Sequence, residues 1–152
     1  MFIKTYKRQI FLLLFLLPGF LIACKTPAPA ATTPEAPPIP PDRVDVVYFY
    51  DSEICHCQIV PGDQIQSALF INFGGEEASG KLTYRSIDLT DANNAAIVSK
   101  YGATSQMLFI DLVRGDSEQI VAVPEILLLK DDEEALGRLV VDRVQQYLAG
   151  NE

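Results

Sequence analysis

The chain has 152 residues, with 12 basic and 20 acidic side chains, a formal net charge of −8 and 49% hydrophobic residues. Such an acidic chain is repelled by the phosphates of nucleic acids, so no nucleic-acid partner is expected. The single histidine, His56, excludes a histidine-rich metal site and makes a serine-type catalytic triad hard to build.

Residues 1–23 are predicted to be a secretory signal peptide. Three basic residues begin this segment, and an apolar run follows over 10–22, interrupted by Pro18 and Gly19. The run is shorter than the roughly 20 residues that a membrane-spanning helix needs. A basic start followed by a short apolar run is typical of a leader that is removed from the mature protein.

The apolar run ends at residues 21–24 in Leu-Ile-Ala-Cys, which resembles a bacterial lipobox. The resemblance implies that Cys24 becomes the first residue of the mature chain and receives a diacylglyceryl chain. A membrane-anchored, extracytoplasmic lipoprotein is therefore expected, at the cell surface or in the periplasm. Loss of the leader leaves nine basic and twenty acidic residues, a net charge of −11. The membrane partner should then be reached through the lipid on Cys24 rather than through a basic patch.

Residues 24–41 are predicted to be the lipidated cysteine and a linker rich in proline and alanine. The linker has no apolar periodicity and cannot bury enough surface to fold. Extended polyproline II rises about 3.1 Å per residue, so the stretch could hold a domain up to ~50 Å from the membrane. The remaining residues, 42–152, are enough for one domain with one core.

The elements of this domain are predicted in the order strand, helix, strand, helix, strand, strand, helix. The first strand is β-branched and aromatic, as is typical of a strand buried on both faces, and Gly74-Gly75 is expected to end the first helix. Two βαβ crossovers followed by a hairpin and a covering helix give an α/β domain with a mixed four-stranded sheet and helices on both faces. This is the thioredoxin-like arrangement. Strands are expected at 44–50, 81–89, 107–113 and 118–123, and helices at 62–73, 91–101 and 131–148.

Cys55, His56 and Cys57 lie between the first strand and the first helix. A thiol near a helix N-terminus has its thiolate stabilised by unpaired backbone N–H groups, which lowers its pKa. The segments VVYFYDSEICHC and YRSIDLTDANNAAIVSKYGATSQMLFID, together with the element order, resemble the thioredoxin superfamily over residues 43–150. More narrowly, the chain resembles the nitrophenyl compound nitroreductase subunit family of thioredoxin-like proteins.

The resemblance implies thiol–disulfide exchange, with Cys55 as the attacking thiolate, Cys57 as the resolving cysteine and His56 tuning the pair by its charge. Two features depart from the thioredoxin pattern. Gln58 stands where C-x-x-C has its second cysteine, and residues 104–106 (Thr-Ser-Gln) stand where a cis-proline precedes the third strand. Because a Cys-x-Cys disulfide closes a very small ring, the pair is expected to be easily reduced and oxidising in character.

Two other functions remain open from the residues alone. The domain could be a non-catalytic accessory or binding subunit of a partner oxidoreductase, or Cys55, His56 and Cys57 could bind a soft metal such as copper(I) or zinc, or trivalent arsenic through the thiolates. Whether the chain is an enzyme therefore stays open, and a protein redox partner is expected only for the exchange function. No cofactor is expected, because the sequence contains no phosphate loop, dinucleotide fingerprint or haem-attachment motif.

Overall fold

The computed structural model describes residues 39–151. The predicted signal peptide, Cys24 and the linker up to residue 38 lie outside this range. Within it lie four strands and four helices, and short 3-10 turns at His56–Gln58 and Ala92–Asn94 precede the first two helices. The strands are β1 (Arg43–Tyr50), β2 (Leu82–Asp88), β3 (Met107–Arg114) and β4 (Ser117–Ala122), and the helices are α1 (Ile59–Ala78), α2 (Ala95–Tyr101), α3 (Ile126–Leu129) and α4 (Glu133–Leu148).

The four strands form one mixed sheet in the order β2-β1-β3-β4. β1 pairs in parallel with β2 and antiparallel with β3, so only the first of the two expected crossovers joins parallel strands, and β4 returns from β3 through a hairpin at Gly115. The six residues from Val44 to Phe49 are all buried, as expected of a strand with neighbours on both edges and helices on both faces. The predicted thioredoxin-like α/β fold is therefore confirmed.

The two faces of the sheet are covered by different helices, because successive side chains of a strand point to opposite sides. One face of β1 packs against α1 and α4, and the other packs against α2, where aromatic rings form a second cluster. The first cluster includes Val44, Val46, Tyr48, Ile65, Leu69, Leu136, Val140 and Val144, and the second includes Val47, Phe49, Tyr101 and Phe109.

The prediction for the first helix was wrong at its start and partly right at its end. α1 begins at Ile59 rather than at residue 62, because Pro61 fits the first helical turn, where its missing N–H is not needed. Helical geometry is broken at Phe73 (φ −132°, ψ 27°), directly before Gly74-Gly75, as the predicted stop implied, but a second helical segment continues beyond this kink to Ala78 and neither glycine adopts a positive φ. The left-handed glycine that follows the helix is Gly80, with φ of 74°.

The two residues at the predicted boundary between linker and domain, Pro41 and Asp42, both contact the rest of the domain. Pro41 is buried, and the Asp42 carboxylate accepts a hydrogen bond of 2.7 Å from the backbone N–H of Gly115 in the β3–β4 turn. The Asp42 N–H donates to the Val113 carbonyl at 2.8 Å and so extends the pairing of β1 with β3. None of the helices within residues 39–151 is long and apolar enough to cross a membrane.

Candidate functional site

The two cysteines of the C-x-C sequence form a disulfide in the segment that joins β1 to α1. We call residues 51–58 of this segment the cysteine turn. The Cα atoms of Cys55 and Cys57 are 5.1 Å apart, and their sulfurs are bonded to each other. The 3-10 turn His56–Gln58 leads directly into α1, so the pair lies at the start of a 20-residue helix, as the sequence predicted.

The two sulfurs have different surroundings. Cys55 has an extended backbone and precedes the 3-10 turn, and its Sγ accepts a hydrogen bond of 3.1 Å from the Cys57 N–H. Cys55 is half-buried, whereas Cys57 and His56 are exposed. Of the two bonded cysteines, Cys57 is therefore the more exposed residue.

The first half of the cysteine turn is held by short polar side chains. Asp51 Oδ1 accepts hydrogen bonds from the backbone N–H groups of Glu53 at 2.9 Å and Ile54 at 3.2 Å. At the end of β2, hydrogen bonds from Ser52 and then from Thr90 lower the pKa of Asp88 to about 2. The cysteine turn is thus fastened to the end of the strand beside β1.

Gln58, which replaces the second cysteine of the usual redox motif, is the buried polar centre of the site. Its side chain is among the few buried polar ones, and the residue is only 6% exposed. Oε1 of Gln58 accepts hydrogen bonds from the Asp51 N–H, at 3.0 Å, and from the hydroxyl of Ser105. The Tyr48 hydroxyl donates to the Gln58 carbonyl at 2.7 Å. Sequence reasoning identified Gln58 only as a missing cysteine, because its partners come from distant parts of the chain.

The loop before β3 has a backbone feature that the sequence did not reveal. Gln106 has a φ of 59°, in the left-handed region that non-glycine residues rarely adopt. Both the N–H and the hydroxyl of Thr104 lie within hydrogen-bond distance of the Met107 sulfur, at 3.3 and 3.1 Å. Residues 104–106, which stand in place of the cis-proline of thioredoxins, therefore form a loop shaped by the left-handed Gln106 and by the contacts of Thr104 and Ser105.

A cleft of about 220 Å³ opens beside Cys57, the more exposed of the two cysteines. Its walls come from the start of α1, from the loop before β3 and from the segment after α3, where Lys130 and Asp131 form an ion pair of 2.9 Å. This volume is below the ~300–1,000 Å³ of typical small-molecule sites and suits a single side chain of a partner. The lining residues are Cys57, Val60, Pro61, Gln106, Lys130 and Asp131.

A larger groove of about 510 Å³ lies between α1 and α4, but neither cysteine lines it. Among residues 39–151 there is no group of three or more His, Cys, Asp or Glu side chains placed to hold a metal ion. Metal binding by Cys55, His56 and Cys57 would require the reduced pair, and it stays a prediction.

No protein-family model matches the chain, and no curated protein shows significant sequence similarity to it. Among solved structures, the chain is similar to a thioredoxin from Thermus thermophilus, whose structure was determined in solution. The two are 15% identical, the match covers 66% of this chain and 75% of that chain, and the TM-score is 0.37. The thioredoxin-like assignment rests on the strand order and pairing of this sheet itself.

Proposed function

We propose that this protein exchanges disulfides with a thiol-bearing partner protein through Cys55 and Cys57, outside the cytoplasm and anchored to a membrane by a lipid on Cys24. The observation that carries the proposal is the solvent-facing disulfide at the start of α1, beside a cleft wide enough for one side chain. Compartments outside the cytoplasm keep thiols oxidised, which agrees with a bonded pair.

The proposed exchange moves two electrons without a cofactor. A partner thiolate attacks one sulfur of the pair, forms a mixed disulfide and releases the other cysteine as a thiolate. A second thiolate of the partner then attacks the partner's own sulfur in the mixed disulfide. The partner leaves oxidised, and the Cys55–Cys57 pair is left as two thiols after taking up the protons. Reduction of a partner disulfide follows the same steps in reverse.

Equilibration of the purified full chain with mixtures of reduced and oxidised glutathione tests this function. We expect the pair to pass between disulfide and dithiol, and the reduced chain to accelerate reduction of a peptide disulfide. Cys55→Ser and Cys57→Ser should each abolish turnover, whereas Cys24→Ser, which keeps the pair, should not. A pair that never changes state across these mixtures would overturn the proposal.

The membrane anchor needs a separate measurement, because Cys24 lies outside the described residues. We expect the mature chain made in bacteria to incorporate labelled fatty acid and to sediment with membranes. Cys24→Ala should lose both properties. A chain that keeps its leader, or one that carries no lipid, would contradict the anchor but would leave the exchange function intact.

The accessory-subunit alternative is favoured by apolar side chains beside the disulfide. Ile54 is 67% exposed and Val60 is 49% exposed, so a partner oxidoreductase could cover this surface without any exchange of sulfur. In that case the double variant Cys55→Ser/Cys57→Ser would still support the partner's activity. Membership of the nitroreductase subunit family would be supported if that partner reduced nitrophenyl compounds.

A further inference from the structure

We infer that the partner becomes bonded to Cys57 and that Cys55 is the cysteine released as a thiolate. This is the reverse of the order that the resemblance to thioredoxins implied. The inference rests on the proposed exchange function and deepens it by naming the sulfur that the partner meets.

Access to the two sulfurs favours attack at Cys57. Cys57 is exposed and lines the cleft together with Val60 and Gln106, whereas Cys55 is half-buried and does not line it. The rate of exchange depends on which sulfur an incoming thiolate can reach. A partner side chain seated in the cleft therefore meets Cys57 first.

The hydrogen bond to Cys55 favours its release. Its Sγ accepts from the Cys57 N–H at 3.1 Å, a contact that spans only two residues. A disulfide sulfur is a weak acceptor, but a thiolate carries a full negative charge and forms a much stronger bond with the same N–H. Both cysteines lie next to the start of α1, so the helix dipole does not distinguish them, but a hydrogen bond to the thiolate lowers the pKa of the thiol that accepts it. A thiol with a lower pKa leaves faster.

Attack at Cys57 has two outcomes, depending on whether the partner supplies a second thiolate. The partner thiolate forms an S–S bond to Cys57 as the Cys57–Cys55 bond breaks, and the electron pair of that bond goes to Cys55. If the partner supplies a second thiolate, that thiolate attacks the partner sulfur and Cys57 leaves and is protonated. If it does not, Cys55 attacks Cys57, re-forms the original disulfide and expels the partner.

The test uses the oxidised full chain and a peptide with one cysteine as the probe. The reaction is quenched with acid at short times, free thiols are alkylated, and mass spectrometry identifies which cysteine carries the peptide. We expect the peptide on Cys57 and the alkyl group on Cys55, in an excess of about fivefold or more. The same reaction in Cys24→Ala controls for a third thiol. A peptide found mainly on Cys55, or equally on both, overturns the inference and leaves the exchange function standing, whereas no adduct on either overturns both.

Two further measurements separate the release of Cys55 from simple access to Cys57. The pH dependence of alkylation should give a lower pKa for the Cys55 thiol in Cys57→Ser than for the Cys57 thiol in Cys55→Ser. Val60→Glu, which places a negative charge on the cleft wall, should slow attack by an anionic thiolate. Ile71→Glu, on the same helix but in the other groove, should not. Equal pKa values, or equal rates for the two helix variants, would contradict the inferred order.

Discussion

Gln58 and Ser105 are joined by a side-chain hydrogen bond that ties the cysteine turn to the loop before β3, although 47 residues separate them in the chain. The same oxygen of Gln58 accepts from the Asp51 N–H, so one buried amide connects both ends of the cysteine turn with a distant loop. That loop contributes Gln106 to the cleft beside Cys57. Gln58, which stands where the usual redox motif has its second cysteine, therefore shapes the site in which the Cys55–Cys57 pair would act.

Gln58→Ala should destabilise the fold, because it leaves the Asp51 N–H and the Ser105 hydroxyl without their acceptor. We expect a loss of about 1–3 kcal/mol in the free energy of unfolding, measured by urea denaturation. Gln64→Ala is the matched control, because the buried Oε1 of Gln64 has no hydrogen-bond partner within residues 39–151. Equal losses in the two variants would show that the bonds to Gln58 add nothing to stability.

Alanine at two glycines of α1 should have opposite effects. A Cβ at Gly62 would lie 2.8 Å from the ring of the fully buried Tyr48, so overpacking should cost about 1–3 kcal/mol. At Gly75 nothing lies within 4 Å of an added Cβ, and the higher helix propensity of alanine should stabilise the fold by up to about 1 kcal/mol. Thermal unfolding of both variants measures the difference. The packing explanation is wrong if Gly62→Ala raises the melting temperature as Gly75→Ala does.

Asp111 should tolerate asparagine better than alanine. It is fully buried, accepts a hydrogen bond of 3.0 Å from the Tyr101 hydroxyl, and lies opposite the buried Asp45 in the pairing of β1 with β3. Like charges on opposite strand positions are destabilising, so Asp111→Asn removes one charge while it keeps an acceptor for Tyr101. We expect Asp111→Asn to lie within about 0.5 kcal/mol of the wild type and Asp111→Ala to lose about 1–3 kcal/mol in urea denaturation.

The control for this prediction is the Tyr101→Phe background, in which no hydroxyl is left without an acceptor. There the cost of Asp111→Ala should shrink. If the cost of Asp111→Ala is unchanged in this background, the effect comes from packing or from Lys100, whose ammonium group lies 3.3 Å from the same carboxylate.

The free energy of unfolding should fall in alkaline solution, because the tyrosines that burial keeps neutral in the fold ionise more readily in the unfolded chain. Burial raises the pKa of Tyr48 to about 12, and it also raises the pKa of Tyr84 and Tyr101. In the unfolded chain the pKa is about 10, so this contribution to stability is complete below pH 10 and is lost as the pH rises toward 12. Urea denaturation at several alkaline pH values, with phenolate absorbance, measures the loss. Tyr48→Phe should make the decline shallower, and a constant unfolding free energy up to about pH 11 would contradict the assignment.

The sequence by itself determined the fold class and the place of the cysteine pair. The signals involved are local: the β-branched and aromatic run of β1, the apolar spacing of α4, the hairpin turn at Gly115, and two cysteines next to a helix start. Each signal depends on hydrophobic spacing or turn residues within a few positions of the chain. The resulting order of strands and helices is compatible with only a few sheet topologies. The leader and the lipid on Cys24 were also read from local patterns, and they stay predictions.

Only the tertiary structure decided the ends of α1, the role of Gln58 and the difference between the two sulfurs. α1 is kinked at the buried Phe73, directly before Gly74-Gly75, and continues to Ala78, so the local stop signal marks a kink rather than the end of the element. Gln58 has its role because folding brings Ser105 to it from 47 residues away. Cys55 and Cys57 have the same side chain, and they differ only because one accepts a backbone N–H while the other lines a cleft built by three separate segments. The cleft and the contact between Gln58 and Ser105 depend on packing between segments that are distant in the chain, and residue patterns along the chain do not record them.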